Sequence, residues 1–167
     1  MAVLNIRTLP DPILRQKARR ITRIDDKLQQ LIDDMIDTMR DAQGVGLAAN
    51  QVGYLQRVVV IEIPEDEKVY VLINPEITRR QGERVVEEGC LSIPGYRGEL
   101  SRSLKVRVRA LDRNGETIKI KAEGLLAQAL EHETDHINGT LYIDHLQDAD
   151  QLWRIVHHHV DSEAEAS

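Results

Sequence analysis

The sequence predicts a single domain of the α+β class with mostly antiparallel strand pairing. Three observations support this prediction: two segments have the apolar periodicity of helices, the strand-like segments follow one another as hairpins, and no segment rich in Gly, Pro or Ser divides the chain. The length of 167 residues suits one domain, and 41% of the residues are hydrophobic, which is enough for a core. We assign residues 1–160 to this domain and expect the polar residues 161–167 to form a frayed or disordered tail.

The first quarter of the chain predicts an extended segment followed by two helices. Residues 3–9 are expected to be extended, and Asp11 with Pro12 predicts the cap and first turn of a short helix that ends near residue 19. A longer helix follows Asp25 and stops before Gly44, because apolar residues recur there every three or four positions. The apolar face of that helix consists of Leu28, Leu31, Ile32, Met35, Ile36 and Met39.

Strands dominate the middle of the chain, and helices are predicted again towards its end. Residues 57–63, 69–73, 104–111 and 117–122 are β-branched or alternating, and an Asn114-Gly115 turn joins the last two segments. Gly124 then opens a helix over residues 125–138, which Gly139 ends. A last helix is predicted over residues 149–159, with Trp153 docking it on the domain.

The composition excludes several classes of protein. The chain carries 22 basic and 28 acidic residues, a net charge of −6, without a basic stripe in the sequence, so we expect no direct binding to nucleic acid. No apolar segment approaches the roughly 18 residues that cross a bilayer, and the N-terminus lacks the apolar core of a secretory signal. Cys90 is the one cysteine and cannot form an intramolecular disulfide. These features predict a cytoplasmic protein without membrane association.

An H-E-x-x-H motif, from His132 to His136, lies inside the second long helix. Residues four apart on a helix share one face with Cβ atoms about 5–6 Å apart, so two imidazoles can bind one metal ion. Glu133 points away from that face and can reach a metal-bound water without binding the metal. Two solvated histidines on an exposed helix are the alternative interpretation.

The identity of a third metal ligand remains open from spacing alone. Tyr142 occupies the position where a metzincin has its third histidine. Cys90 would give a thiolate and two imidazoles with a fourth position free for water, which is typical of catalytic sites. The alternatives are a zinc peptidase that uses Asp144, Asp148 or Glu163, a cysteine hydrolase, and a metal-stabilised binding module with a closed site.

Three segments together resemble the peptide deformylases, which remove the N-formyl group from nascent bacterial polypeptides. The segments are Gly44-Val45-Gly46-Leu47-Ala48-Ala49-Asn50-Gln51, Glu88-Gly89-Cys90-Leu91-Ser92 and His132-Glu133-Thr134-Asp135-His136. They occur in the order and at the spacing of that family, and the likeness extends from Leu9 to about Leu146. The resemblance implies antiparallel sheets packed around a central helix that carries the metal.

The resemblance also implies a role for individual residues. Cys90, His132 and His136 match the metal ligands, Glu133 the general acid and base, and Gln51 with the backbone N–H of Leu91 the donors that bind the oxyanion. In the implied reaction a metal-bound water attacks the formyl carbon of N-terminal formyl-methionine and formate is released. The implied substrate-binding residues are Gly44, Val45, Gly46, Val86, Gly89 and Leu125.

Further expectations concern the metal and the partners. The resemblance implies one divalent metal, Fe²⁺, while the ligand types also suit Zn²⁺, Ni²⁺ or Co²⁺. N-formylated nascent peptides are the implied substrates, and we expect a monomer. Association with the ribosome is expected to be transient at most, because the tail after His159 is acidic and would not be attracted to RNA. An ion pair between Glu88 and Arg102 is implied as well. Gln128 and Glu131 depart from the family pattern, and a polar Gln128 beside the substrate would weaken a preference for methionine.

Overall fold

The fold consists of two antiparallel sheets and two α-helices in the residues that the structure, a computed structural model, describes, namely 2–66 and 68–155. The helices are α1 (Asp26–Asp41) and α2 (Gly124–Ile137). The strands are β1 (Gly46–Ala48), β2 (Val58–Glu62), β3 (Val69–Gln81), β4 (Arg84–Cys90), β5 (Ile93–Arg102), β6 (Lys105–Leu111), β7 (Thr117–Glu123) and β8 (Leu152–Arg154). The predicted α+β class and the antiparallel pairing are confirmed.

The larger sheet has the order β1-β2-β3-β6-β7 and separates the two helices. The alternation of strand side chains gives β2 two apolar faces. Val58 and Val60 pack with α1, whereas Val59 and Ile61 pack with α2. Because both faces of β2 are buried, this strand lies at the centre of the hydrophobic core. The smaller sheet has the order β4-β5-β8.

Helix α1 forms as predicted because one side of it is apolar and its first turn is capped. The Asp25 carboxylate accepts a hydrogen bond from the Leu28 N–H, which would otherwise have no partner at the helix start. The helix ends at Asp41, and Gln43 adopts a φ of 57° in the turn that leads into β1. That turn brings Gly44, Val45 and Gly46 to the edge of the larger sheet.

Helix α2 agrees with its predicted bounds within one residue at each end. Its buried side chains, among them Ala127, Leu130 and Ile137, pack on the inner face of the larger sheet. Gly139 follows the helix with a φ of 78°, and a Cβ there would lie 2.7 Å from the Arg15 carbonyl oxygen. Glycine is thus required at position 139 for two reasons: the left-handed φ that ends the helix and the close approach of the Arg15 backbone.

The prediction of a last helix over residues 149–159 was wrong for the part of it that the structure describes. Ala149–Gln151 form a short 3-10 helix, and β8 then pairs with β5 through Gly98↔Leu152 and Tyr96↔Arg154. Strand pairing with the edge of the smaller sheet overrides the local helical pattern. Trp153 lies on this strand and is 37% exposed, so it does not dock a helix. Residues 156–159 and the predicted tail 161–167 lie outside the described residues.

The N-terminal predictions were partly wrong for the same kind of reason. The helix predicted up to residue 19 ends after one turn, Pro12–Arg15, because the N–H groups of Ala18 and Arg19 bond to Ile137 O and Leu55 O. Residues 3–9 belong to no sheet, although the N–H of Arg7 bonds to Gln51 O. Within the described part of the chain no helix is long and apolar enough to cross a membrane.

Candidate active site

Three predicted metal ligands meet between the two sheets. The ligand atoms of Cys90, His132 and His136 all lie within 4.8 Å of one another. Cys90 Sγ is 3.2 Å from His136 Nε2, which is 3.2 Å from His132 Nε2. Two imidazoles and a thiol that converge this closely suit a divalent transition metal, and a tetrahedral shell would keep one position for water or substrate. These three side chains could therefore hold a metal ion.

Two different elements supply the ligands. His132 and His136 are one helical turn apart on α2 and consequently face the same way. Cys90 is the last residue of β4, where the register with β5 shifts between Glu88 and Cys90. Such an irregularity turns the strand and redirects its side chains. The three candidate ligands thus come from the helix packed on the larger sheet and from a strand of the smaller one.

Glu88 orients the His132 ring. The Nδ1 of His132 lies 2.7 Å from Glu88 Oε1, an arrangement in which Nδ1–H donates and Nε2 is left to bind the metal. Arg102 holds the same carboxylate with two bonds, Nε to Oε2 at 2.7 Å and Nη2 to Oε1 at 2.9 Å. Burial would raise the pKa of Glu88, but the hydrogen bonds from Arg102 and His132 outweigh it and lower the pKa to about 2.

The network extends to two residues that sequence reasoning missed. Arg102 Nη1 donates to Asp135 Oδ2 at 2.8 Å, and His145 Nε2 lies 2.8 Å from the same oxygen. Asp135 is inside the H-E-x-x-H motif, so its position next to the ligands was the available signal. The buried Arg102 therefore balances the two carboxylates of Glu88 and Asp135 and ties β5 to α2.

Glu133 is buried beside the candidate metal ligands, and its carboxylate packs against the backbone of Gly46. The residue is 3% exposed, and its Oε1 has no hydrogen-bond partner among the described residues. A Cβ on Gly46 would lie 2.6 Å from Glu133 Oε2, so only glycine leaves room for this carboxylate. Burial raises the pKa of Glu133 to about 7. A carboxylate with a pKa near neutrality can both accept and return a proton.

The Gln51 amide lies next to the cysteine, and Leu91 follows the cysteine in the chain. The Gln51 side chain is fixed at both ends: Oε1 accepts from the Ala48 N–H at 3.0 Å, and Nε2 donates to Ser92 Oγ at 3.0 Å. The same Nε2 is 3.8 Å from Cys90 Sγ. Ser92, a partner that the sequence did not single out, thereby aims the Gln51 amide at the metal ligands.

A cavity of about 450 Å³ opens in front of these groups. Its lining includes the predicted residues Gln51, Leu91, Gly44, Val45, Gly46, Gly89 and Leu125, together with Cys90, His132 and Glu133. Val86, the remaining predicted substrate-binding residue, is not part of the lining. It packs in the core with Leu14, Ile93 and Leu100, because β4 turns it to the inner side of the smaller sheet.

The other candidate third ligands have different surroundings. Asp144 forms an ion pair with Arg15 and accepts the Leu141 N–H. Asp148 begins a short 3-10 helix, and Glu163 lies outside the described residues. Within the part of the chain that the structure describes, the one cluster that could hold a metal is Cys90, His132 and His136.

Both departures from the family pattern have defined surroundings. The buried Glu131 accepts bonds from the N–H and hydroxyl of Ser103 and from Arg80 Nε. Gln128 lines the cavity, and its Nε2 donates to the Glu87 carbonyl at 3.2 Å. The first substitution therefore affects the core behind the site, whereas the second changes the cavity itself.

Comparison with known proteins agrees with this geometry. Residues 3–152 match the family model described as polypeptide deformylase. The peptide deformylase of Dehalococcoides mccartyi strain CBDB1 is 54% identical over 155 residues, which is 93% of each chain. That of Halothermothrix orenii is 50% identical over 144 residues, or 86% of this chain and 94% of the relative.

Solved structures show the same likeness in three dimensions. The peptide deformylase from Legionella pneumophila superposes with a TM-score of 0.87 at 48% identity and covers 90% of this chain and 89% of its own. The enzyme from Synechococcus elongatus, in complex with actinonin, gives a TM-score of 0.85 at 43% identity over 89% of this chain and 81% of its own. The chain belongs to the polypeptide deformylase family.

Proposed function

We propose that this protein hydrolyses the N-formyl amide of N-terminal formyl-methionine on nascent polypeptides and releases formate and a free amine. The observation that carries the proposal is the meeting of a Cys-His-His ligand set with a buried, unpartnered carboxylate oxygen of Glu133 at one end of a cavity. Membership in the deformylase family supports the same reaction. A metal-dependent amide hydrolase needs these parts: a metal site, a proton carrier and space for the acyl group.

Cys90, His132 and His136 would hold the metal, which we propose is Fe²⁺, with Zn²⁺, Ni²⁺ and Co²⁺ as alternatives that suit the same donors. When bound, a divalent cation lowers the pKa of water and polarises a carbonyl. The donor set fits this role because the thiol and two imidazoles converge and the second nitrogen of His132 is already engaged by Glu88.

Glu133 moves the protons in the proposed mechanism. Its carboxylate accepts a proton from the attacking water and returns it to the amide nitrogen, which can then leave as an amine. Burial, which raises the pKa of Glu133 to about 7, makes both transfers accessible near neutral pH. Gln51 Nε2, which lies 3.8 Å from Cys90 Sγ, and the N–H of Leu91, the residue after Cys90, are the proposed donors to the oxyanion.

The substrate peptide is proposed to lie along the edge of the larger sheet. β1 is an edge strand with one neighbour, β2, and the segment before it lines the cavity. Gly44, Val45 and Gly46 present backbone groups there that an extended peptide can pair with. Gly89 and Leu125 complete the proposed contacts from the opposite side of the cavity.

Gln128 is the residue of this site that we expect to change substrate preference. It lines the cavity with an amide group, and one of its N–H groups is satisfied by the Glu87 carbonyl. An apolar methionine side chain would desolvate that amide without offering it a hydrogen bond. We therefore propose a weaker preference for methionine than an apolar residue at this position would give.

The proposed setting is the cytoplasm, where such a peptide is synthesised and a thiol ligand stays reduced. We propose a monomer with one catalytic domain over residues 1–160. Any association with the ribosome is proposed to be transient.

The test is formate release by anaerobically purified protein with its metal content measured on the same sample. Formyl-Met-Ala should be hydrolysed, and acetyl-Met-Ala should be resistant because its acyl carbon carries a methyl group where the formyl carbon carries only hydrogen. Equal hydrolysis of both peptides, or cleavage between Met and Ala, would contradict the proposal.

The variant Cys90→Ser tests the ligand set against the zinc-peptidase alternative. A hydroxyl is a poor ligand for these metals, so bound metal should fall well below one ion per chain. The matched control is Ser92→Ala, which leaves the thiol in place. Unchanged metal content in Cys90→Ser would remove Cys90 from the ligand set.

A further inference from the structure

The outer face of the larger sheet carries a cluster of basic residues on β6, β7 and the end of β3. The exposed positions of β6 alternate with buried Val106, Val108 and Ala110, so every second side chain points away from α2. The same alternation applies to β7. The basic face defined in this way consists of Arg79, Lys105, Arg107, Arg109, Lys119 and Lys121, all of them exposed.

Strand pairing arranges these residues in rows. Arg79, Arg107 and Lys121 are in register across three strands, and Arg109 and Lys119 are in register in the next row. Adjacent strands are about 4.8 Å apart, and rows on one face are separated by two residues, roughly 6.7 Å. Like charges placed directly opposite one another destabilise a sheet, so the folding of the domain alone gives no reason for this arrangement.

Few acidic residues balance the basic face. Glu76 is in register with Arg109, and Glu123 lies 3.9 Å from Lys105. Among residues 2–66 and 68–155 no ion pair with a carboxylate is formed by the other five basic residues of the face. The charges are thus available to an external anion.

Helix α1 leaves this part of the sheet uncovered. The apolar residues Val58, Val60, Val71 and Ile73 of the same outer face are packed under α1. The helix reaches the basic strands only at the hairpin end, where Arg113 pairs with Asp33. Two hollows of about 360 and 620 Å³ lie on the open part. Basic residues form half of the lining of each; Glu123 also lines the smaller hollow, and Thr78 and Thr117 line the larger one.

We infer that the basic face binds the phosphate backbone of double-helical RNA without regard to base sequence. Arginine, lysine and threonine side chains are the usual partners of phosphate oxygens. Among the described residues no aromatic side chain lines either hollow, so the face has no group on which an unpaired base could stack in the usual way. A flat face of long basic side chains instead suits the wide, shallow minor groove and flanking phosphates of an RNA duplex.

The choice of RNA over other polyanions rests on the proposed function, because a polypeptide under synthesis is surrounded by the structured RNA of the ribosome. A net charge of −6 predicts repulsion, but it averages over the whole surface. Phosphates within a Debye length, about 8 Å at physiological salt, respond to the local cluster. The face lies on the side of the sheet opposite α2, so binding there leaves the cavity free.

The test uses the full-length, metal-loaded protein and a short fluorescein-labelled RNA duplex, with binding followed by anisotropy at increasing salt. The variant K119Q/K121Q should weaken binding roughly tenfold at low salt and reduce the slope of log K against log[salt] by about two. The control K17Q/K27Q removes the same charge from exposed positions elsewhere. It should bind as the unmodified protein does, and R107Q/R109Q repeats the test on the neighbouring strand.

Several results would overturn the inference. They are the absence of measurable RNA binding at low salt, equal losses in K119Q/K121Q and K17Q/K27Q, and binding of a DNA duplex or of phosphatidylserine vesicles as tight as that of RNA. Formate release from formyl-Met-Ala is measured in parallel and should be unchanged in all variants. Because RNA binding does not require the reaction, a protein that binds RNA but releases no formate would contradict the proposed function alone.

Discussion

At the scale of single residues, the absence of one side chain positions the proposed proton carrier. Glu133 has no hydrogen-bond partner for Oε1 among the described residues, and its other oxygen occupies space that a Cβ on Gly46 would need. The carboxylate is therefore positioned by packing against backbone and is free to exchange its proton with the substrate. Gly46 thus determines where the side chain of Glu133 lies, although Glu133 is on a helix nearly ninety residues later in the chain.

The variant Glu133→Gln separates proton transfer from metal binding. The amide has the same shape and does not ligate the metal, so metal content should be unchanged while kcat falls by about 10²-fold or more. Formate release and metal analysis on one preparation check this expectation. A variant with near-normal kcat would show that another group carries the proton.

The variant Gly46→Ala tests the packing of Glu133. The new methyl group would lie 2.6 Å from Glu133 Oε2, so the carboxylate must move and kcat should fall by at least about tenfold. The matched control is Gly44→Ala, whose methyl group would meet Leu91 Cδ1 at 2.9 Å, the end of a flexible side chain. Equal activity of the two variants would contradict a specific role for Gly46.

The residues of the site could be predicted unequally well from the sequence. His132 and His136 could be predicted as a pair because helical spacing alone places them together. Cys90 could be predicted as the third ligand because the sequence offers few other candidates. Asp135, His145 and Ser92 were missed because their contacts depend on how β4, β5 and α2 meet. Val86 was misplaced because the side to which a strand residue points cannot be read before the register is known.

At the scale of elements, the buried Glu88–Arg102 pair connects the smaller sheet to α2. Both side chains are 4% exposed, and the pair also contacts His132 and Asp135. An intact buried ion pair of this kind adds little to the stability of the folded protein. Removal of one partner is strongly destabilising, because the other charge stays buried without a counter-charge. The pair consequently fixes the angle between β4, which carries Cys90, and the helix that carries the histidines.

Glu88→Gln should lower the free energy of unfolding by on the order of 3 kcal/mol, because Arg102 would keep only Asp135 as an anionic partner. Urea denaturation of the metal-free protein measures this change. The control Glu87→Gln removes a carboxylate from the neighbouring, exposed position, whose ion pair with Arg97 lies at the surface, and should cost about 1 kcal/mol or less.

The contribution of Glu88 should also depend on pH. Its pKa is lowered from 4.5 to about 2 in the folded protein, so the stabilisation is complete above pH 4.5 and is lost as the pH falls towards 2. The difference between the unmodified protein and Glu88→Gln should shrink over this interval. A difference that stays constant down to pH 2 would contradict the assigned ion pair.

The elements themselves were predicted where local pattern and tertiary packing agree. Helices α1 and α2 have an apolar face, a stop signal and a partner surface, and both lie where expected. The segment after residue 149 has a helical pattern, but the free edge of β5 offers backbone partners that a helix cannot use. Non-local pairing of this kind leaves no periodic signal in the sequence.

At the scale of the whole molecule, a bound metal would add a further link between the smaller sheet and α2, which the Glu88–Arg102 pair already connects. One proposed ligand belongs to the smaller sheet, and two belong to the helix packed on the larger sheet. A ligand that binds only the folded protein stabilises it by RT ln(1 + [L]/Kd), about 2.7 kcal/mol at a hundredfold excess over Kd.

Removal of the metal should therefore lower Tm by roughly 5–10 °C for a domain of this size. Calorimetry before and after chelation under anaerobic conditions measures the change, and added metal should restore it. In Cys90→Ser chelation should have little effect. An equally large shift in that variant would place the stabilising ion elsewhere.

The thiol of Cys90 would report whether the proposed metal site is filled. Because Cys90 is the single thiol of the chain and a proposed metal ligand, a thiol-selective alkylating reagent adds at this centre. A metal-bound sulfur reacts slowly with such reagents. The fraction of the protein that gains the mass of the alkyl group therefore equals the fraction without metal. Alkylation of Cys90 in the purified protein therefore measures the fraction of molecules that lack the metal.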